Sequence, residues 1–168
     1  MLLFSYLAAI LLHECGHMTA LVLFHARIKH LSVSPFGLTI SHTRLSSFYQ
    51  SFAVAASGPL FGVIGYIVSH HSSFLPLFSQ ISLLLSLFNL LPIATLDGSR
   101  MLSSLLESRF SPDTAERITS AVSSLTLALL WLIGAYLFFF LDLGATLFLM
   151  ALTLFFQKLK NDSQEIDT

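Results

Sequence analysis

Apolar residues run in long blocks along this chain, and polar ones collect in the gaps between them. Residues 1–24 form the first block and 48–68 the second. The third covers 75–91 and resumes after Pro92 toward 106; the fourth covers 121–141. A fifth, 144–156, is shorter and follows closely on the fourth. A helix needs about 20 mostly apolar residues to cross a bilayer. The pattern therefore predicts an all-α polytopic membrane protein with about five transmembrane helices.

The gaps differ in kind. Residues 70–73 and 142–143 are short connections, whereas 108–119 is polar, with Pro112 placed to begin a helix. Residues 158–168 form a polar tail. Between the first two blocks, 28–42 alternates in polarity around Pro35-Phe36-Gly37. Period-two alternation about a Pro-Gly turn predicts a small membrane-associated β-hairpin, against the alternative of an irregular loop. The chain divides accordingly into a membrane core at 1–106, a loop at 107–120, two accessory transmembrane helices at 121–157 and the tail at 158–168. The core comprises three helices and the hairpin 28–42.

Composition supports a lipid environment. The 168 residues are 55% hydrophobic and 10% charged, where soluble domains carry about 25% charged residues. Mean hydropathy is +0.81. The net charge of -1 gives no bulk attraction for nucleic acid. The single cysteine, Cys15, excludes an intramolecular disulfide. No positive region precedes the apolar start, so a cleaved signal peptide is not expected.

Charge also sets an expected orientation. With five spans, all eight basic residues fall on one side: Arg27, Lys29, Arg44, Arg100, Arg109, Arg117, Lys158 and Lys160. The positive-inside rule puts that side in the cytoplasm and the N-terminus outside.

The candidate chemistry begins at His13-Glu14-Cys15-Gly16-His17. On a helix, residues four apart project from one face, so His13 and His17 can hold one zinc ion. Glu14 stands beside them, placed to act on the water that a metal activates. With seven histidines in 168 residues, chance gives such a pattern on the order of one time in a hundred. Ionisable groups inside a spanning segment are also costly unless they serve a site. Catalytic zinc takes three protein ligands and leaves one position open. Asp97 is the candidate third ligand; its alternative is a turn residue before Gly98.

Asn89 and Pro92 precede Asp97. Pro92 interrupts the helix ladder, and irregular backbone at membrane depth is tolerated only against protein or a wet cavity. Asn89 is either a donor to substrate or oxyanion or an interhelical hydrogen-bonding residue. Ser57-Gly58-Pro59-Leu60-Phe61-Gly62 carries a GxxxG pattern, which is read as helix packing. Cys15, about 200° around the helix from His13, cannot share its metal and is assigned to packing. His25, His30 and His42 are read as loop residues, and His70 and His71 lie at the opposite membrane face.

Taken together, HECGH, ASGPLFG and NLLPIATLDG resemble the site-2 protease family of intramembrane metalloproteases. They cover roughly residues 8–106, in the family's order and spacing. Arg27-Ile28-Lys29 through Ser34-Pro35-Phe36-Gly37 further resembles its sporulation branch. The resemblance implies one Zn2+ per chain on His13, His17 and Asp97, with Glu14 as catalytic acid/base and Asn89 contacting substrate. It implies a β-hairpin after the first core helix, whose edge at Leu38, Thr39 and Ile40 is expected to take up extended substrate by strand addition. The implied activity is regulated intramembrane proteolysis of a membrane-tethered protein such as a pro-sigma or transcription factor, in a bacterial cell membrane, with the site opening to the cytoplasm. A membrane regulatory partner is a further expectation. The alternative is a non-catalytic zinc-binding scaffold or a metal transporter. Relatives of the sporulation branch usually place another helix before the HExxH helix, and none precedes it in this sequence.

Overall fold

The structure is a computed structural model. It describes residues 1–26, 28–34, 37–42, 47–72, 75–141 and 149–156; for 28–34, 37–42 and 140–141 it describes the backbone alone. The elements are α1 (Leu2–Leu23), β1 (Ile28–Ser34), β2 (Gly37–His42), α2 (Phe48–Ser69), α3 (Pro76–Asn89), α4 (Asp97–Glu107) and α5 (Pro112–Leu141). Residues 149–156 are also helical.

α1 is apolar around most of its circumference, as a lipid-embedded helix must be. Its outer face leaves Leu2, Leu3, Phe4, Leu7 and Leu11 exposed, while Ala9, His13, Gly16 and His17 turn inward. The helix ends where His25 adopts a positive φ of 55°, a left-handed conformation in which histidine is enriched. Backbone hydrogen bonds from His25 to Val22 and from Ala26 to Leu21 close that end. Ser47 caps α2 by accepting a hydrogen bond from the Tyr49 amide at 3.3 Å.

Of the described helices, α1, α2 and α5 are long and apolar enough to cross a membrane. At 1.5 Å per residue, α1 and α2 reach about 33 Å, while the 14 residues of α3 reach about 21 Å. The expectation of about five spans is corrected: three helices have spanning length among the described residues, and two strands lie between α1 and α2. β1 and β2 pair antiparallel, with Leu31 opposite Ile40, Ser34 opposite Gly37, and an irregularity between Ile28 and His30. The third apolar block does not continue as one span either, because α3 stops at Asn89 and a new helix begins at Asp97. Pro92 is the physical cause, since its ring nitrogen has no hydrogen for the ladder. The expected turn at 35–36, the expected connection at 142–143, residues 144–148 of the expected fifth span, and the tail at 158–168 lie outside the described residues.

α2 is the central helix, packing against α1, α3 and α4. Small residues bring the backbones close. A β-carbon on Gly16 of α1 would collide with the Ser57 carbonyl of α2, and one on Gly62 with the Ser86 hydroxyl of α3. Ser79, Ser82 and Ser86 are buried along α3. Ser79 and Ser86 return hydrogen bonds to the carbonyls of Pro76 and Ser82, at 2.9 and 2.8 Å. Thus Gly and Ser set the closest approaches in the α1–α2–α3 interface, the usual means of close helix approach in lipid.

Candidate metal centre

His13 and His17 are one turn apart on α1, about 40° from each other around the axis. Both are buried, as is Asp97, the first residue of α4. The His13 Nε2 lies 3.0 Å from Asp97 Oδ2, the His17 Nε2 lies 3.2 Å from the same oxygen, and the two Nε2 atoms are 3.2 Å apart. The three atoms thus form a near-equilateral triangle deep in the helix bundle. Of the described residues, these three are the group that could hold a metal ion.

The donor set fits zinc. A tetrahedral site with bonds of about 2.0–2.1 Å has ligand–ligand edges of about 3.3–3.4 Å. The observed edges fall close to that. The arrangement is also hard to explain without a cation. Two neutral imidazoles meeting nitrogen to nitrogen leave one lone pair facing another, unless a proton or a metal lies between.

His17 is prepared for such a role. Its Nδ1–H donates to the Val54 carbonyl of α2 at 2.8 Å, which leaves the Nε2 lone pair pointing into the triangle. Gly58, one turn further along α2, faces both rings. A β-carbon there would meet His17 Cε1 at 2.6 Å and His13 Nε2 at 2.8 Å. The glycine is therefore a wall of the site. Sequence reading assigned this segment to helix packing, and it missed both Val54 and Gly58. Proximity of Gly-Pro to histidines on another helix has no local sequence signal; only the co-occurrence of ASGPLFG with HECGH hinted at it.

Asp97 is delivered by the break after α3. A β-carbon on Gly98 would collide with the Leu90 carbonyl, so only glycine lets α4 start so close to the end of α3. Arg100 approaches the outer carboxylate oxygen of Asp97 at 3.9 Å. It is 60% exposed, too loosely held to fix that carboxylate.

Other candidates lie elsewhere. Glu14 is half-buried and sits about 100° around α1 from His13 and 60° from His17. The Asn89 amide turns back to donate to the Leu85 carbonyl at 3.0 Å. Among the described residues it makes no hydrogen bond to the three donors. Leu38, Thr39 and Ile40 belong to β2, and their side chains lie outside the described residues. Cys15 is exposed, so it does not serve packing within the protein.

Comparison with known proteins adds an independent line. Residues 66–133 match peptidase family M50, a stretch that includes Asp97 and begins after His13 and His17. The stage IV sporulation protein FB of Bacillus subtilis (strain 168) is 29% identical over 151 residues, covering 84% of this chain and 51% of the relative. The chain thus spans about half the length of that curated relative. The solved site-2 protease from Methanocaldococcus jannaschii shares the fold, with a TM-score of 0.71 and 24% identity, over 91% of this chain and 73% of that one.

Proposed function

We propose that this chain, a member of peptidase family M50, is an integral-membrane zinc endopeptidase that hydrolyses a peptide bond at the level of the bilayer. The observation that carries the reading is the triangle of His13 Nε2, His17 Nε2 and Asp97 Oδ2, with edges of 3.0–3.2 Å inside an apolar bundle. Three protein ligands with a fourth position open is the arrangement of catalytic rather than structural zinc.

The residues divide the work. His13, His17 and Asp97 would hold one Zn2+, and bound zinc supplies a Lewis acid that acidifies water and polarises a carbonyl. Glu14, half-buried next to His13, accepts a proton from the attacking water and returns it to the departing amine nitrogen as the C–N bond breaks. The Val54 carbonyl keeps His17 in the Nδ1–H tautomer throughout. Asn89 is left to contact substrate once its bond to Leu85 is exchanged. The substrate is taken to be a membrane-tethered protein of the pro-sigma or transcription-factor kind. The basic ends of the chain face the cytoplasm, and the site opens there.

The test is zinc content and cleavage of membrane-tethered substrates by the detergent-solubilised wild type and Glu14→Gln. The expected result is one zinc per chain in both, with the variant slower by ~10²–10⁴-fold. Zinc in both proteins with equal cleavage would remove Glu14 from the chemistry. Zinc without cleavage in either favours a zinc-binding scaffold. A folded wild type without zinc refutes the metal reading.

A further inference from the structure

Asp97 is carried by the connection between α3 and α4, and that connection lacks a helix's own support. Pro92 contributes no amide hydrogen. The Ile93 amide donates to Leu91 and the Leu96 amide to Ile93, both at 2.8 Å, in tight turns that satisfy those two groups. The Ala94 amide goes elsewhere. It donates to the Ser123 hydroxyl of α5 at 2.8 Å, across 29 residues of sequence.

Ser123 has no exposed surface, although α5 presents Leu125, Leu129, Leu132 and Ile133 outward. One turn on, Leu127 packs with Leu154 around Ile93, the neighbour of Ala94, and Leu130 borders the same cluster. Residues 123, 127 and 130 share one helix face. That face of α5 therefore grips the connection at two points, a hydrogen bond at Ala94 and an apolar socket at Ile93. Three residues beyond Ala94 comes the carboxylate that meets both imidazoles. Ala94 itself is exposed, but the hydroxyl that receives its amide is not; released from Ser123, that amide would lose its only tie to α5 among the described residues, and the connection would be held by the Ile93 socket alone.

We propose that Ser123 is a positioning residue for Asp97. By accepting the Ala94 amide it replaces the ladder bond that the proline-broken helix cannot make, and it sets where α4 begins. α5, which has no residue in the donor triangle, thereby becomes part of the machinery that aims the third ligand. In its consequence for metal affinity, the inference rests on the zinc reading above.

The test compares Ser123→Val with Ser123→Thr in the full chain. Threonine keeps the hydroxyl, and valine has nearly the same shape without it. Two quantities are read: amide exchange of the 91–99 peptide in metal-free protein, and zinc affinity by chelator competition. The valine variant should exchange this peptide faster and bind zinc roughly tenfold more weakly, at the low end of losses on removing outer-shell partners. The peptide containing His13 and His17 should keep its wild-type exchange, and threonine should restore both readings. Unchanged exchange in the valine variant overturns the proposal. So does faster exchange with wild-type zinc affinity, or a threonine variant that behaves like valine. A wild type that binds no zinc would sink the metal reading alone, since the exchange comparison still judges the positioning.

Discussion

Replacing Gly58 by alanine tests the site where structure and local propensity disagree in sign. In an exposed helix interior, Gly→Ala stabilises by about 1 kcal/mol. Here the new methyl would collide with His17 Nε2 and lie 2.6 Å from His17 Cε1 and 2.8 Å from His13 Nε2. Ordinary carbon contacts lie near 3.5–4.0 Å, so about 1 Å of separation must be found. With an ion bound, the rings would have little freedom to supply it. His17 is tied to Val54 at 2.8 Å, and a bound ion would pin both Nε2 atoms. Nor can α2 retreat alone, because Gly16 and Gly62 hold it against α1 and α3. Overpacking of this kind costs ~1–3 kcal/mol. Metal-free imidazoles can rotate away from the methyl, whereas zinc-bound ones cannot. The cost therefore falls mainly on the zinc-bound form. Taking ~1.4–2.8 kcal/mol of it as lost binding energy gives a Kd higher by ~10–100-fold. Chelator competition on Gly58→Ala measures this, with thermal unfolding of the metal-free protein as control. A variant that binds zinc as tightly as wild type while fully folded would refute the placement of Gly58 against the rings.

The remaining predictions follow from the same geometry. His13→Ala, His17→Ala and Asp97→Asn should each lose zinc under conditions where Glu14→Gln retains it, measured as metal per chain after gel filtration. Gly98→Ala should lower zinc affinity although it alters no ligand, because its methyl would collide with the Leu90 carbonyl and displace the first turn of α4; the same competition assay reads it. Removing zinc with a chelator should lower the thermal midpoint of the wild type, with 100-fold excess of metal over Kd restoring ~2.7 kcal/mol. No such shift should occur in Asp97→Asn.

How much of this was legible in the sequence depended on what a residue costs in lipid. His13, His17 and Asp97 stood out because a charged or ionisable group in an apolar segment needs a reason to be there. The structure brings those three together. Glycine and serine carry no such penalty. Gly16, Gly58 and Gly62 all permit close packing, yet only Gly58 faces the imidazoles. Which glycine does so depends on the rotation of α2 against α1, and a single sequence does not encode that rotation locally. Val54 was invisible for a stronger reason, since its contribution is a backbone carbonyl that any residue supplies. The span count failed because hydropathy measures apolar length and not helix continuity. The break at Pro92 was legible, but not that α3 would stop at Asn89 after 14 residues, too short to span.

That division bears on how the site is held. Two of its donors come from one turn of a continuous helix, where the α1 ladder fixes their separation. The third comes from the first residue of a helix that begins after a broken one. Rigidity is therefore unequal: His13 and His17 move together, while Asp97 moves with the 90–96 connection. Three contacts outside the donor triangle restrain that connection. Gly98 fits against Leu90, Ile93 fills a pocket with Leu127 and Leu154, and the Ala94 amide reaches Ser123. Changes at α1 should thus act on whether a metal binds at all, through loss of a ligand. Changes at α5 should act in graded fashion, through the position of the third ligand. α5 contributes no residue to the donor triangle, yet by this reasoning it controls the softest coordinate of the centre.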